Sequence, residues 1–233
     1  MKNAILMASG LGTRMRPLTE TTPKPLIKVK ELPMIETVIQ SLIEAGVEKL
    51  YVVVGYLGDQ FEFLKSKYEG LEIIQNPDYK TINNISSVFA AKDVLRQGDC
   101  YVCEADLYIA NTELLKCEPL ESCYYGKIVA GYSEDWVFEL DSSGYISRVG
   151  KYGTDCYNMA GIAFFKAEEA KILADEIENT YGQPGFENLF WDEVVDKNLD
   201  KLKLRVQPVE FGDIIEFDTV EELETVRDLV RSK

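Results

Sequence analysis

Apolar positions along this chain switch repeatedly between two spacings, and the switches mark out an alternation of strands and helices. Ala4-Ile5-Leu6-Met7 is a short uncharged run, as in a strand buried on both faces, and predicts a strand over 3–7. Over 34–45 the apolar residues Ile35, Val38, Ile39, Leu42 and Ile43 recur at helical spacing. A second buried strand over 50–54, a helix over 60–68 and a short strand over 72–75 continue the order. This β-α-β-α-β rhythm predicts a parallel sheet joined by right-handed crossovers. A helix over 85–95 follows, for which Asn83 or Asn84 can serve as N-cap, and it leads into a strand over 100–104.

Beyond Asp106 the pattern changes. β segments are expected over 124–131, 137–140, 146–149 and 161–165, joined by turns such as Ser142-Ser143-Gly144, which makes a mixed or antiparallel extension. Helices return over 167–179 and 186–196, followed by strands over 202–208 and 214–217 and a closing helix over 219–231. The expected fold is α/β: a Rossmann-like, mixed but mainly parallel sheet with helices on both faces and a small β extension. No composition break or Ser/Gly linker divides the 233 residues, 46% of them hydrophobic, so residues 1–233 are read as a single domain.

Composition then removes whole classes of chemistry. The chain has no histidine, which excludes histidine general-base catalysis, histidine-ligated metals and imidazole switches. A formal net charge of −15 would repel nucleic acid and anionic membrane surfaces, so neither is an expected partner. No run approaches about 18 apolar residues, and the first residues enter a strand without the order of a secretion signal, so no membrane insertion and a cytoplasmic location are expected. The five cysteines are odd in number and read as free thiols. Cys100 and Cys103 have a CxxC spacing, but in a strand they point to opposite faces, which disfavours a metal or redox pair. Nothing in the sequence sets an oligomeric state.

Chemistry is concentrated near the N-terminus. After the first strand, the small residues Ala8, Ser9, Gly10 and Gly12, with Thr13, let backbone amides approach a ligand closely. Arg14 and Arg16 add fixed positive charge, and Lys24 lies between Pro23 and Pro25, whose restricted φ angles hold its loop in one shape. The segment reads as a device for holding a triphosphate. It is not a Walker A loop, since Gly-Lys-Ser/Thr is missing, and Met15 stands where a dinucleotide fingerprint would place its third glycine.

The combination Gly10-Leu11-Gly12-Thr13-Arg14, Arg16-Pro17-Leu18-Thr19 and Pro23-Lys24-Pro25-Leu26 resembles the signature of the nucleotidyltransferases that build sugar nucleotides and CDP-alcohols. Within that group the short length, Ile215-Glu216-Phe217-Asp218 and the pairs Asn83-Asn84 and Trp191-Asp192 are most similar to bacterial CTP:phosphocholine cytidylyltransferases, over nearly the whole chain. The resemblance implies a fold of the nucleotide-diphospho-sugar transferase type, with a nucleotide-binding half over roughly 1–110 and an acceptor-binding half over roughly 111–233. It also implies transfer of CMP from CTP to a phosphorylated amino alcohol, with Mg2+ as cofactor and pyrophosphate released, and Arg14 and Lys24 as catalytic cations.

Asp106 follows an apolar strand, at the carboxyl edge where ligands gather in open α/β sheets, and is the first expected metal ligand. Glu216 and Asp218 are two apart in an extended segment, so both face one side and either or both can share the ion with Asp106. In a chain with 40 acidic residues each is equally readable as a solvated acid at a strand end, and the resemblance favours the metal role. For the nucleotide, backbone at Ala8–Gly10 can approach a flat ring, Gln75, Asn76, Asn83 and Asn84 supply amides for a pyrimidine edge, of which the resemblance favours Asn84, and Tyr79 can cover the ring. Asn83-Asn84 is equally readable as a turn that caps the next helix.

For the acceptor, Trp136, Trp191 and Tyr132, with Phe190 and Tyr181, are the ingredients of a cation–π cage, which the acids Asp135, Glu187 and Asp192 would close. Phe190 and Trp191 can instead be core residues of a helix. The phosphocholine pattern would place an acid near Asn188, whereas the nearest here is Glu187, so a primary amine such as phosphoethanolamine or 2-aminoethylphosphonate, or a small phosphorylated polyol, remains a candidate acceptor. Two other functions compete: a sugar-1-phosphate nucleotidyltransferase, and a non-catalytic nucleotide-binding module, which would be expected to lack a metal carboxylate or Lys24.

Overall fold

A computed structural model describes residues 1–231. The central strand β1 (Lys2–Ala8) lies between β2 (Lys49–Val54) and β4 (Asp99–Glu104), and β3 (Leu71–Gln75) flanks β2; all four are parallel. Strand alternation sorts the side chains into two cores. Ala4, Leu6, Val52, Tyr101 and Cys103 pack on one face with Ile35, Val38 and Leu42 of α1 (Met34–Glu44). Ile5, Val53, Cys100 and Val102 pack on the other with α3 (Ile85–Ala90), α4 (Lys92–Leu95), α5 (Ala167–Thr180) and α6 (Trp191–Asp196). Cys100 and Cys103 therefore do face opposite ways, and all five cysteines are free.

The expected extension is larger than its parts suggested. β6 (Cys123–Leu140) and β7 (Ile146–Phe165) are continuous, bulged antiparallel strands, each joining two of the segments read separately from the sequence. β7 pairs antiparallel with β4, and β8 (Arg205–Pro208) runs parallel to β6, which gives the order β3-β2-β1-β4-β7-β6-β8. One sheet thus runs through both halves of the chain. Two short strands the periodicity only half revealed, β5 (Leu107–Ile109) and β9 (Ile214–Glu216), form a separate antiparallel pair.

Three expected helices are broken. The stretch 60–68 divides into a tight 3-10 turn, Gly58–Phe61, and α2 (Phe63–Lys67): the backbone N–H of Gln60 bonds Leu57 O and that of Glu62 bonds Asp59 O, three residues back rather than four. The stretch 85–95 is interrupted at Ala91, whose N–H closes back on Val88. The stretch 186–196 begins as a separate 3-10 turn, Phe186–Asn188, because Asn83 donates its backbone N–H to Glu187 O and its side-chain amide to Asn188 O.

The last helix, α7 (Val220–Arg231), starts with a capping box: Glu222 accepts the N–H of Thr219 and Asp218, and the Thr219 hydroxyl accepts the N–H of Glu222. A third apolar cluster of Met15, Ile27, Met34, Phe217 and Leu223 binds this C-terminal segment to the loop after β1. Among the described residues no helix is long and apolar enough to cross a membrane.

Candidate active site

The carboxyl ends of β1 and β4 meet where the strand order reverses, a position at which open α/β sheets bind ligands. Met7 is level with Glu104 there, and the chain leaves β1 through Ser9 and Gly10. Ser9 is held by its hydroxyl to Val53 O at 3.1 Å and receives the Ser87 hydroxyl at 3.3 Å. Gly12 adopts φ +60°, and a Cβ there would come within 2.9 Å of Thr19 Cγ2, so only glycine fits without strain. The Thr19 hydroxyl closes the loop by donating to Gly12 O at 2.7 Å.

Lys24 sits on a 3-10 turn (Lys24–Leu26) between its two prolines and is only 8% exposed. Its Nζ lies 2.7 Å from Asp106, 3.5 Å from Asp218 and 3.9 Å from Glu216. The pairing of β5 with β9 and the capping box of α7 bring these acids together from opposite ends of the chain. Arg14 reaches the same group through Asp218 at 2.5 Å. Burial pulls the Lys24 pKa down, but the adjacent Asp106 carboxylate, with Glu216 and Asp218, outweighs it and raises the pKa, so the ammonium stays charged. Burial, then Asp106, push Glu216 up to about 7. Burial also raises Glu104 well above the usual carboxylate range, with Glu216 and Asp106 adding to the effect.

A cavity of about 230 Å3 is lined by Ala8, Ser9, Gly10, Gly12, Arg14, Lys24, Asn84, Ser87, Glu104, Asp106 and Glu216. The loop, the cations and the acids therefore share one space. Thr13 is exposed on the outer side of the loop. Asn84 accepts the N–H of Trp191 at 3.0 Å, so it caps α6 rather than its own helix α3. Asn76 is buried, donating to Ser86 and Ser87, so it supports the cavity wall from behind. The Tyr79 ring lies against Gly55 at the end of β2, and Gln75 is exposed at the end of β3.

The aromatic residues do not form one cage. Trp191 is in the core, stacked on Tyr124 at 5.7 Å, and Asp192 accepts the Tyr124 hydroxyl at 3.0 Å. Burial pushes Asp192 up to about 7, with the Tyr124 hydrogen bond acting against it. Trp136 instead meets Phe190 edge to face at 5.2 Å over a second cavity of about 470 Å3, where the acids are Glu193 and Asp196. That cavity is the larger, but it contains neither the glycine loop nor Lys24. Tyr132 stacks on Tyr152 and is 65% exposed, and Tyr181 stacks on Phe89. Glu187 is exposed on its 3-10 turn and, among the described residues, bonds toward the site through its carbonyl, which accepts the Asn83 N–H. Sequence reasoning did not single out Glu104, although an acid ending an otherwise apolar central strand was a visible signal.

Residues 3–117 match the Nucleotidyl transferase family. The chain is 51% identical over 221 residues to a 2-aminoethylphosphonate cytidylyltransferase of Lancefieldella rimae, covering 95% of this chain and 90% of that protein. It is 30% identical to the choline-phosphate cytidylyltransferase of Streptococcus pneumoniae, covering 99% of both. The solved structure of the CTP:phosphocholine cytidylyltransferase from Streptococcus pneumoniae superposes with a TM-score of 0.89 over 98% of this chain and 99% of that one. The chain belongs to the nucleotidyl transferase family. Within it, this is a nucleotidyltransferase of the cytidylyltransferase kind.

Proposed function

We propose that this enzyme transfers CMP from CTP to a small phosphonate or phosphate that carries an amino group, releasing pyrophosphate in the cytoplasm. The observation that carries the reading is the convergence of Arg14, Lys24, Asp106 and Glu216 on the cavity behind the glycine loop, with Asp218 paired to both cations. Of the acceptors expected from the sequence, 2-aminoethylphosphonate is favoured over phosphocholine, since the relative of that name is 51% identical and the choline-phosphate enzyme 30%.

The backbone of Ala8–Gly10 receives the base and ribose, with Asn84 and Tyr79 beside them, and the amides near Gly12 face the phosphates. An acceptor oxygen attacks the α-phosphorus, a new P–O bond forms, and the bond to the β-phosphate breaks, so that pyrophosphate leaves. No general base is needed, because the acceptor oxyanion is already charged at neutral pH. What the chain must supply is alignment of two anions and relief of their repulsion. Lys24 lies against the transferring phosphoryl group and Arg14 against the departing pyrophosphate.

Three carboxylates within 4 Å of one ammonium are an oxygen-only donor set of the kind magnesium prefers. They close on Lys24 rather than on an open point, and among the described residues no group of three acids, thiols or imidazoles is preassembled as a metal cluster. Asp106, with Glu216 or Asp218, would hold Mg2+, which when bound neutralises phosphate charge. The test is pyrophosphate release across a grid of nucleoside triphosphates and acceptors, with and without Mg2+. CTP with an amino-bearing phosphonate or phosphate should be the best pair, and a sugar 1-phosphate outperforming every amine would overturn the reading.

A further inference from the structure

Next to the main cavity is a narrow cleft, and Glu104 forms the wall between them. The cleft holds only about 10 Å3 and is bounded by Trp191, Tyr124, Met159, Gly161 and Met7. Gly161 has φ +76°, and a Cβ there would lie 2.9 Å from Glu104 Oε2, so the glycine makes room for this carboxylate. Among the described residues Glu104 has neither a hydrogen-bond donor nor an ion-pair partner, only longer-range charges around it. Glu104 is half-buried, with two aromatic rings and two methionines beside it in the cleft, and an arriving cation would give this unpartnered carboxylate its counter-charge.

We propose that Glu104 binds the ammonium group of the acceptor, and that the Trp191–Tyr124 cleft admits a primary ammonium but not a trimethylammonium. This rests on the transferase reading above. About 10 Å3 is the space of roughly one water-sized sphere, which matches –NH3+, whereas three methyl groups need several times that. The location suits the reaction, because Glu104 also lines the cavity that contains Lys24 and Asp106. An acceptor whose acidic oxygens lie against Lys24 shares its cavity with Glu104, so the other end of the same small molecule can turn toward that carboxylate. The shared –CH2–CH2–NH3+ group fits both 2-aminoethylphosphonate and phosphoethanolamine.

The test compares kcat/KM for 2-aminoethylphosphonate, phosphoethanolamine, their hydroxyl analogues 2-hydroxyethylphosphonate and glycol phosphate, and phosphocholine, in wild type, Glu104→Gln and Glu104→Asp. Wild type should prefer each amine over its hydroxyl analogue and over phosphocholine. Glu104→Gln should raise KM for each amine roughly 10- to 100-fold more than KM for its hydroxyl analogue, the scale for losing a hydrogen bond to a charged group. Glu104→Asp keeps the charge on a shorter arm; it should recover part of the amine preference and improve phosphocholine use by widening the cleft. Equal losses for amine and hydroxyl acceptors, or a loss confined to CTP binding, would overturn the assignment of Glu104 and leave the transferase reading intact. A wild-type enzyme inactive on every acceptor would instead overturn the transferase reading, and this inference with it.

Discussion

Asp192 offers the sharpest test of how the core beneath the Trp191 cleft is packed. It is 4% exposed, and its carboxyl accepts the Tyr124 hydroxyl. Burial raises it from an ordinary 3.8 to about 7. A carboxyl that binds its proton more tightly when folded favours the native state in acid, and that advantage is lost as the pH climbs from about 4 to about 7. With those two values the raised pKa costs about 2 kcal/mol at pH 5 and about 4 kcal/mol at pH 8, relative to strong acid. Asp192→Asn removes the titration but keeps an oxygen for Tyr124. Any fixed cost of the new amide cancels when two pH values are compared. Urea unfolding of both proteins at pH 5 and pH 8 should therefore show the variant gaining about 2 to 3 kcal/mol relative to wild type between the two conditions. A stability difference that does not change with pH would refute the raised pKa and the dry packing around Trp191 that causes it.

Lys24→Met should lower kcat roughly 100- to 1000-fold in the pyrophosphate assay, the usual loss for one preorganised charge at a developing oxyanion, and a variant within a few-fold of wild type would remove Lys24 from the chemistry. Gly12→Ala forces a non-glycine residue to φ +60° against Thr19, and should lower stability by about 1 to 2 kcal/mol in a thermal or urea melt, with KM for CTP raised; a neutral effect would mean that the loop relaxes freely. Asn84→Ala takes the acceptor from the Trp191 N–H and should cost about 1 kcal/mol of stability along with a higher KM for CTP, so unchanged values of both would show that the contact carries no weight.

How much the sequence reveals depends on whether the determining contacts are local. β1, β2 and β4 are legible because a strand at the centre of a parallel sheet has no polar face, and α1 because one stripe of it is buried. The broken helices are not, since 186–196 is unwound by hydrogen bonds from Asn83, more than a hundred residues away. The acids at 106, 216 and 218 could be named from strand-end position and family resemblance. Their closure on Lys24 depends on a two-stranded sheet formed by residues distant in sequence. The aromatic cage did not assemble because Leu189 and Phe190 are extended before α6 begins at Trp191, which sends Phe190 to the cavity that Trp136 lines from β6 and Trp191 to another. Glu104 escaped notice because its meaning comes from Gly161 and Trp191, brought to it only by the pairing of β4 with β7 and the docking of α6.

The most direct measurement is kcat for Asp106→Asn with CTP, 2-aminoethylphosphonate and saturating Mg2+, taken beside the melting transition of the same protein. A loss of at least about 100-fold with an unchanged melt is expected if Asp106 and Lys24 stand at the reacting phosphate. Turnover within a few-fold of wild type would contradict that placement of the reaction centre.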